Sequence, residues 1–192
     1  MSELFPVFLK LRGRRVLLVG GGAVATGKLR PLLDAGAQVT VVAPVVSDEI
    51  RASGVTVLIR GFEPDDLDGV WFVVAAATRS VNGNVAQAAE QRRIFVNAVD
   101  DVENASVYAG AIVRKAGVTL AISTDGHAPA LAGLIREALE RLLPSELDAW
   151  MDCARDARSR WLAAGVPMND RRPLLLNALV ELYERRSVGA HR

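Results

Sequence analysis

Three consecutive glycines, Gly20-Gly21-Gly22, follow the apolar run Val16–Val19 and precede Ala23-Val24-Ala25. The string satisfies G-x-G-x-x-A between a predicted strand and a predicted helix. Gly20 permits a tight turn, Gly22 lets the backbone approach a pyrophosphate, and Ala25 allows close helix–sheet packing. The helix start at Ala23 and Val24 then offers its free N–H groups to phosphate oxygens. The chemistry this suits is recognition of a dinucleotide. An acid about 20 residues past the loop would bind the ribose 2′-hydroxyl of NAD, and an arginine there would indicate NADP. The second predicted strand ends instead in Val42-Ala43-Pro44-Val45. The ribose must therefore rely on backbone groups around Pro44 and Val45, and the residues alone leave the two cofactors open.

Further candidates fall just past predicted strands, at the carboxyl edge where open α/β sheets bind ligands. Asp100 follows the run Ile94–Asn97, and a carboxylate there can accept a proton from a substrate. Asp also favours caps and turns after a strand, so position alone leaves both roles equally open. Asp101 beside it reads as a solvated bystander. Asn97 reads as a polar anchor for the loop or the cofactor, and Thr78 as a cofactor contact or a turn cap. Ser123-Thr124-Asp125-Gly126-His127 forms a polar loop before a helical segment. His127, the one histidine besides His191, reads first as an exposed loop residue and second as a proton donor or transient metal contact. No spacing of His, Asp and Glu makes a permanent metal site. Cys153 is the single cysteine, which excludes disulfides and cysteine-based metal sites; it reads as a buried, inert thiol.

Positioning these residues requires a parallel sheet. Strand-like runs at Val16–Val19, Gln38–Val42, Thr56–Ile59, Val70–Ala76 and Ile94–Asn97 alternate with helix-like segments at Ala23–Ala35 and Val81–Gln91. That alternation implies βαβ units. Gly36 is placed to cap the first helix, while Pro31 should kink or shorten it. After Asp101 the rhythm changes. Val107–Val113 is ambiguous, Val118–Ser123 reads as a strand, and Ala130–Leu143, Glu146–Ala164 and Pro173–Arg186 read as helices before a polar tail from Ser187. The expected fold is α/β, a Rossmann-type parallel sheet followed by a small segment and a C-terminal helical domain. Boundaries are placed at 1–113, 114–144 and 145–192.

The chain has 192 residues, half of them hydrophobic, and a formal net charge of +1. It can bury a sizeable core and shows no basic face for nucleic acid. No apolar run reaches the roughly 20 residues that span a bilayer, and the start lacks a secretory signal, so the expected location is cytoplasmic. Lys10, Lys28 and Lys115 are the only lysines. Genome composition is the first explanation; arginine is also the better bidentate partner for carboxylates.

The chain resembles the precorrin-2 dehydrogenase family, also found as the N-terminal part of siroheme synthase. Leu4–Lys28 is similar to the family's opening, Asn97-Ala98-Val99-Asp100 to its Asn-x-Val-Asp motif, and Ala121–Ala132 to its Ser-Ser/Thr-x-Gly-x-Ser-Pro-x-Leu-Ala segment. The resemblance implies NAD-dependent oxidation of precorrin-2 to sirohydrochlorin, and in some members insertion of ferrous iron, here a substrate. It also implies a homodimer, with the segment after the Rossmann-type domain, 114–144, as a small dimerisation segment contributing to the interface. Asp100 matches the family's functional aspartate, and Ser123, Thr124 and His127 fall in the segment expected to meet the substrate. Asp125 and Ala128 stand where the family usually has glycine and serine, and Val107, Tyr108 and Gly110 replace a Phe-x-x-Pro stretch. A polycarboxylate substrate needs cations, for which Arg79, Arg114, Lys115 and Arg136 are candidates; Trp71, Trp150 and Trp161 are assigned to packing. Two other readings compete: a non-catalytic dinucleotide sensor, and a Rossmann dehydrogenase with another acidic substrate.

Overall fold

In the computed structural model, residues 4–189 are described, with side chains described through Tyr183. His191 lies outside the described residues. The chain divides into two compact units, one running to Ala109 and including Ser123–Ala128, the other comprising Gly110–Ile122 and the chain from Pro129 onward.

The first unit is built on five parallel strands: β1 (Arg15–Val19), β2 (Gln38–Val42), β3 (Thr56–Leu58), β4 (Phe72–Ala75) and β5 (Phe95–Ala98). Their order is β3-β2-β1-β4-β5. The chain steps outward from β1 to β3, then returns to lay β4 on the other side of β1. The sheet is buried on both faces, which explains the continuous apolar runs. Val16 and Leu18 join one core with Leu29, Leu32, Val39 and Val41, while Leu17 and Val19 join the other with Val73, Val85 and Val96.

Helix α1 (Ala23–Asp34) covers the first face and α3 (Arg79–Gln91) the second. Pro31 does not shorten α1, which continues to Asp34. Leu29 and Leu32 are buried on the sheet on either side of the proline, and that packing opposes the loss of one backbone hydrogen bond. Gly36 has φ of 74° and closes the helix end, its N–H donating to Leu33 O at 2.8 Å. Between β2 and β3 lies a short helix that periodicity missed, α2 (Asp48–Ala52), capped by the Ser47 hydroxyl. Its five residues are too few to show a period.

In the second unit, β6 (Ala111–Lys115) and β7 (Val118–Ile122) form an antiparallel hairpin. Ala116 and Gly117 both adopt positive φ, as a two-residue hairpin turn requires. The boundary expected at 113 falls inside β6, because the hairpin pairs residues on both sides of it. At Gly110 an added Cβ would stand 2.2 Å from the Ile122 carbonyl oxygen, so this backbone excludes the proline common in the family. Helix α4 (Pro129–Leu142) packs on the hairpin, and α5 (Leu147–Ala163) packs on α6 (Met168–Gly189). Helix α6 starts before Pro173 because Arg171 donates twice to the Val166 carbonyl and closes the entering turn. Its backbone runs through Ser187, where a tail was expected. Cys153 is half-buried. Trp71 is not a packing residue: it is exposed, with the Arg14 guanidinium 3.7 Å from its ring centroid.

Leu18 is fully buried in the central strand. Leu18→Ala should lower the unfolding free energy by about 2–5 kcal/mol, read from urea titration followed by circular dichroism.

Candidate active site

The glycine turn sits where the strand order reverses, between the ends of β1 and β4, the position at which open sheets bind ligands. Gly20 has φ of 123°, and an added Cβ would lie 2.2 Å from the Ala76 carbonyl oxygen. At Gly21 an added Cβ would lie 2.0 Å from the Val45 carbonyl oxygen and 2.8 Å from Val46 Cα. At Gly22 nothing lies within 4 Å. Two of the glycines are thus required by the protein's own backbone, and the third leaves space for a ligand. Ser47 N–H donates to Gly21 O at 2.8 Å, and Thr26 Oγ1 donates to Gly22 O at 3.0 Å while sharing a 2.8 Å bond with Ser47 Oγ. These bonds fasten the turn to the loop after β2.

A cavity of about 430 Å³ opens over the turn, lined by residues that include Gly20, Gly22, Pro44, Val45, Phe62 and Thr78. Among the described residues its lining contains no charged side chain. A pyrophosphate fits this cradle through the open space at Gly22 and the unpaired N–H groups at the start of α1, whose dipole supplies positive charge. Thr78 precedes α3 without making a side-chain cap bond, so its hydroxyl faces the cavity uncommitted to the helix. Ala23 opens α1 and takes part through its N–H, whereas Val24 lines a neighbouring cavity. Asn97 does not reach the cofactor cavity: it is buried, and its Nδ2 donates to Val107 O at 2.9 Å. It is the loop anchor, because its place within β5 turns its side chain into the fold.

The second cavity, about 250 Å³, is lined by Val24, Ala76, Ala77, Arg79, Asn82 and Val99 together with Asp100 and Asp101. It shares Ala76 and Ala77 with the first, so a ligand running along the sheet edge passes from the glycine turn to Asp100. Asp100 has φ of 55°, a left-handed conformation that Asp tolerates better than most side chains. Its carboxylate is exposed and has no hydrogen-bond or ion-pair partner among the described residues. The adjacent acid behaves differently. Asp101 is buried, accepts from Asn104 Nδ2 at 2.8 Å and stands at the start of the 3-10 turn Val102–Asn104. It is therefore not a solvated bystander: its carboxylate is committed to Asn104.

Among the candidate cations, Arg79 lines the Asp100 cavity, paired with Glu103. Lys115 Nζ donates to Leu143 O at 2.9 Å, and Arg136 pairs with Glu137 and Glu140, so both are engaged within the second unit. Ser123, Thr124 and His127 line neither cavity. Ser123 Oγ accepts from Asp125 N–H, and Thr124 Oγ1 from Ala128 N–H, so the two hydroxyls shape their own loop. An added Cβ at Gly126 would meet Val102 and Tyr108, which places the loop against the segment following Asp101. His127 is exposed. Among the described residues no group of three His, Cys, Asp or Glu side chains could hold a metal ion.

Periodicity passed over Asn82, which is buried in the apolar stripe of α3 and accepts the Ala77 N–H on Oδ1 at 3.1 Å. It fixes the turn shared by both cavities. Its signal was a polar residue spaced with Val85 and Ala89 on one helical face. Arg60, just past β3, was also overlooked. It donates from one guanidinium nitrogen to Asp66 Oδ2 at 2.9 Å and from the other to Asp66 Oδ1, with Glu63 at 3.6 Å. Burial pushes the Asp66 carboxyl up, but the Arg60 hydrogen bond, the Glu63 N–H and the Arg60 charge outweigh it and hold the group below its ordinary value.

A glycine turn at the switch point of a doubly wound sheet, open to phosphate, defines an NAD(P)-binding domain of Rossmann type. The NAD(P)-binding family model matches residues 7–111. A siroheme synthase of Aeromonas hydrophila subsp. hydrophila is 46% identical over 175 residues, covering 88% of this chain and 37% of the relative. A siroheme synthase of Photobacterium profundum is 41% identical, covering 82% of this chain and 35% of its own length. The chain thus spans little more than a third of these curated relatives. The solved structure of SirC, a precorrin-2 dehydrogenase, superposes with a TM-score of 0.70 at 31% identity, covering 91% of this chain and 88% of SirC. The chain belongs to the precorrin-2 dehydrogenase family.

The three glycines should separate by variant. Gly22→Ala should fold with an unchanged melting temperature yet lose NADH binding by about tenfold or more in a fluorescence titration. Gly21→Ala should instead lower the melting temperature or fail to fold, since its Cβ has no space. For Asp66 the folded-state value lies below the unfolded one, so its contribution is present above about pH 4 and lost as pH falls through the folded value. Asp66→Asn should therefore reduce stability at neutral pH and flatten its acid dependence, measured by urea titrations at several pH values.

Proposed function

We propose that the chain oxidises precorrin-2 to sirohydrochlorin using NAD. The observation that carries this reading is the junction of the two cavities at Ala76–Ala77, with an uncommitted carboxylate, Asp100, beyond it. When bound, NAD accepts the hydride that leaves the macrocycle. The residues of the chain supply the rest. Gly22 and the α1 N–H groups hold the pyrophosphate, while Pro44 and Val45 bear on the adenosine. Asn82 keeps the Ala77 turn in place between cofactor and substrate. Asp100 accepts the proton released with the hydride, a role that suits an exposed carboxylate with no competing partner among the described residues. Arg79, at the mouth of the same cavity, can exchange Glu103 for a substrate carboxylate at little cost, since both partners are exposed.

The same carboxylate suits removal of pyrrole N–H protons when ferrous iron enters the product as a substrate, so ferrochelation extends the proposal. A homodimer is supported by exposed apolar side chains on α4 and α6, among them Leu131, Leu134, Leu174 and Leu176. A cytoplasmic location belongs to the same reading. Among the described residues no helix is long and apolar enough to cross a membrane. A dinucleotide sensor would need the glycine turn but not an unpaired acid beside it.

The direct assay supplies precorrin-2 and NAD and follows the macrocycle spectrum together with NADH. No NADH above a protein-free control would overturn the proposal. Asp100→Ala should bind NAD as the parent does and lower turnover by about 10²–10⁴-fold.

A further inference from the structure

We propose that Asp66 makes this chain select NAD over NADP, by holding Arg60 away from the adenosine ribose. The inference rests on reading the 430 Å³ cavity as the dinucleotide site. NADP differs from NAD by a 2′-phosphate with a charge of about −1.5 to −2, and Rossmann sites that accept it offer an arginine near the end of β2. Here that position reads Val42-Ala43-Pro44-Val45, with no acid to claim the 2′-hydroxyl and no arginine to claim a phosphate. The neighbouring strand brings an arginine to the same edge.

Strand β3 brings Arg60 to this edge. Val42 pairs with Leu58, Ala43 N–H donates to Leu58 O at 3.2 Å, and Arg60 N–H donates to the same carbonyl at 3.0 Å. The next two residues, Gly61 and Phe62, share the cavity wall with Pro44 and Val45, whereas Arg60 itself does not line the cavity. Its guanidinium turns instead to Asp66, whose side chain is only 5% exposed. Asp66 is fixed by a second donor, Glu63 N–H at 2.9 Å. Releasing Arg60 toward a phosphate would strand a buried carboxylate, which is costly. The turn also carries Glu63, Asp65 and Asp68. Asp65 and Asp68 face Arg92, at 3.4 and 3.2 Å. A 2′-phosphate in the cavity would therefore find the Arg60 guanidinium already engaged by a buried carboxylate.

The test measures NADH and NADPH dissociation constants by nucleotide fluorescence on the full chain at low ionic strength. The parent should bind NADH at least about tenfold more tightly than NADPH. Asp66→Asn keeps an acceptor for Glu63 N–H but removes the charge; NADPH should bind about tenfold more tightly while NADH changes by less than about twofold. Adding Arg60→Ala to Asp66→Asn should erase that gain. Arg60→Ala alone, which leaves Asp66 bare, should weaken NADPH by about threefold or more and spare NADH. If circular dichroism shows that Asp66→Asn does not fold, Arg60→Ala decides. Equal binding of the two nucleotides by the parent, or an unchanged ratio in the folded variants, would overturn the proposal. Failure of both nucleotides to bind the parent would overturn the cofactor site itself.

Discussion

Two backbone carbonyls, those of Ala76 and Val45, press on the glycine turn so closely that neither Gly20 nor Gly21 can carry a side chain. This crowding sets the geometry of everything around it. It brings the ends of β1, β2 and β4 together, with Gly20 N–H donating to Val42 O and Ala76 N–H to Val19 O. It also aims the start of α1 at the crevice. The turn is therefore assembled by long-range contacts rather than by local preference, and Ser47 and Thr26 complete it from outside the motif. Gly22 differs in kind: its missing side chain leaves room that the fold does not use.

Charge is distributed with equal consistency. Among the described residues the cofactor cavity is lined by no charged side chain, so phosphates there meet backbone N–H groups, whose positions the turn dictates. Nearby charges are held in pairs. Arg60 is engaged by Asp66, Arg92 by Asp65 and Asp68, and Arg79 by Glu103. Asp100 has no such partner among the described residues. Its neighbour Asp101 accepts from Asn104 within the local loop. Asp100 has a left-handed backbone; it is exposed and Asp101 is buried, and both line the same cavity.

Much of the first unit was legible along the chain. Buried parallel strands are continuous apolar runs, so all five were evident within a few residues, and the glycine spacing identified the cofactor turn. The second unit was harder. Gly110 and Val107–Val113 carry no clear period, and the hairpin is specified by Ala116-Gly117 and by pairing across it. Helix α6 begins ahead of Pro173 because Arg171 closes a turn at Val166, a contact that no periodicity encodes.

What the sequence by itself determined is the dinucleotide turn, the alternating parallel fold and the family, through motifs that are local strings. Only the tertiary structure decided which of the polar residues beside those motifs are engaged. Asn97 and Asp101 serve the loop, Asp100 has no partner among the described residues, and Arg60 is held by a residue six positions on. The physical reason is that a side chain's availability depends on which partners folding brings within hydrogen-bond distance, and those partners come from loops whose paths have no period to read.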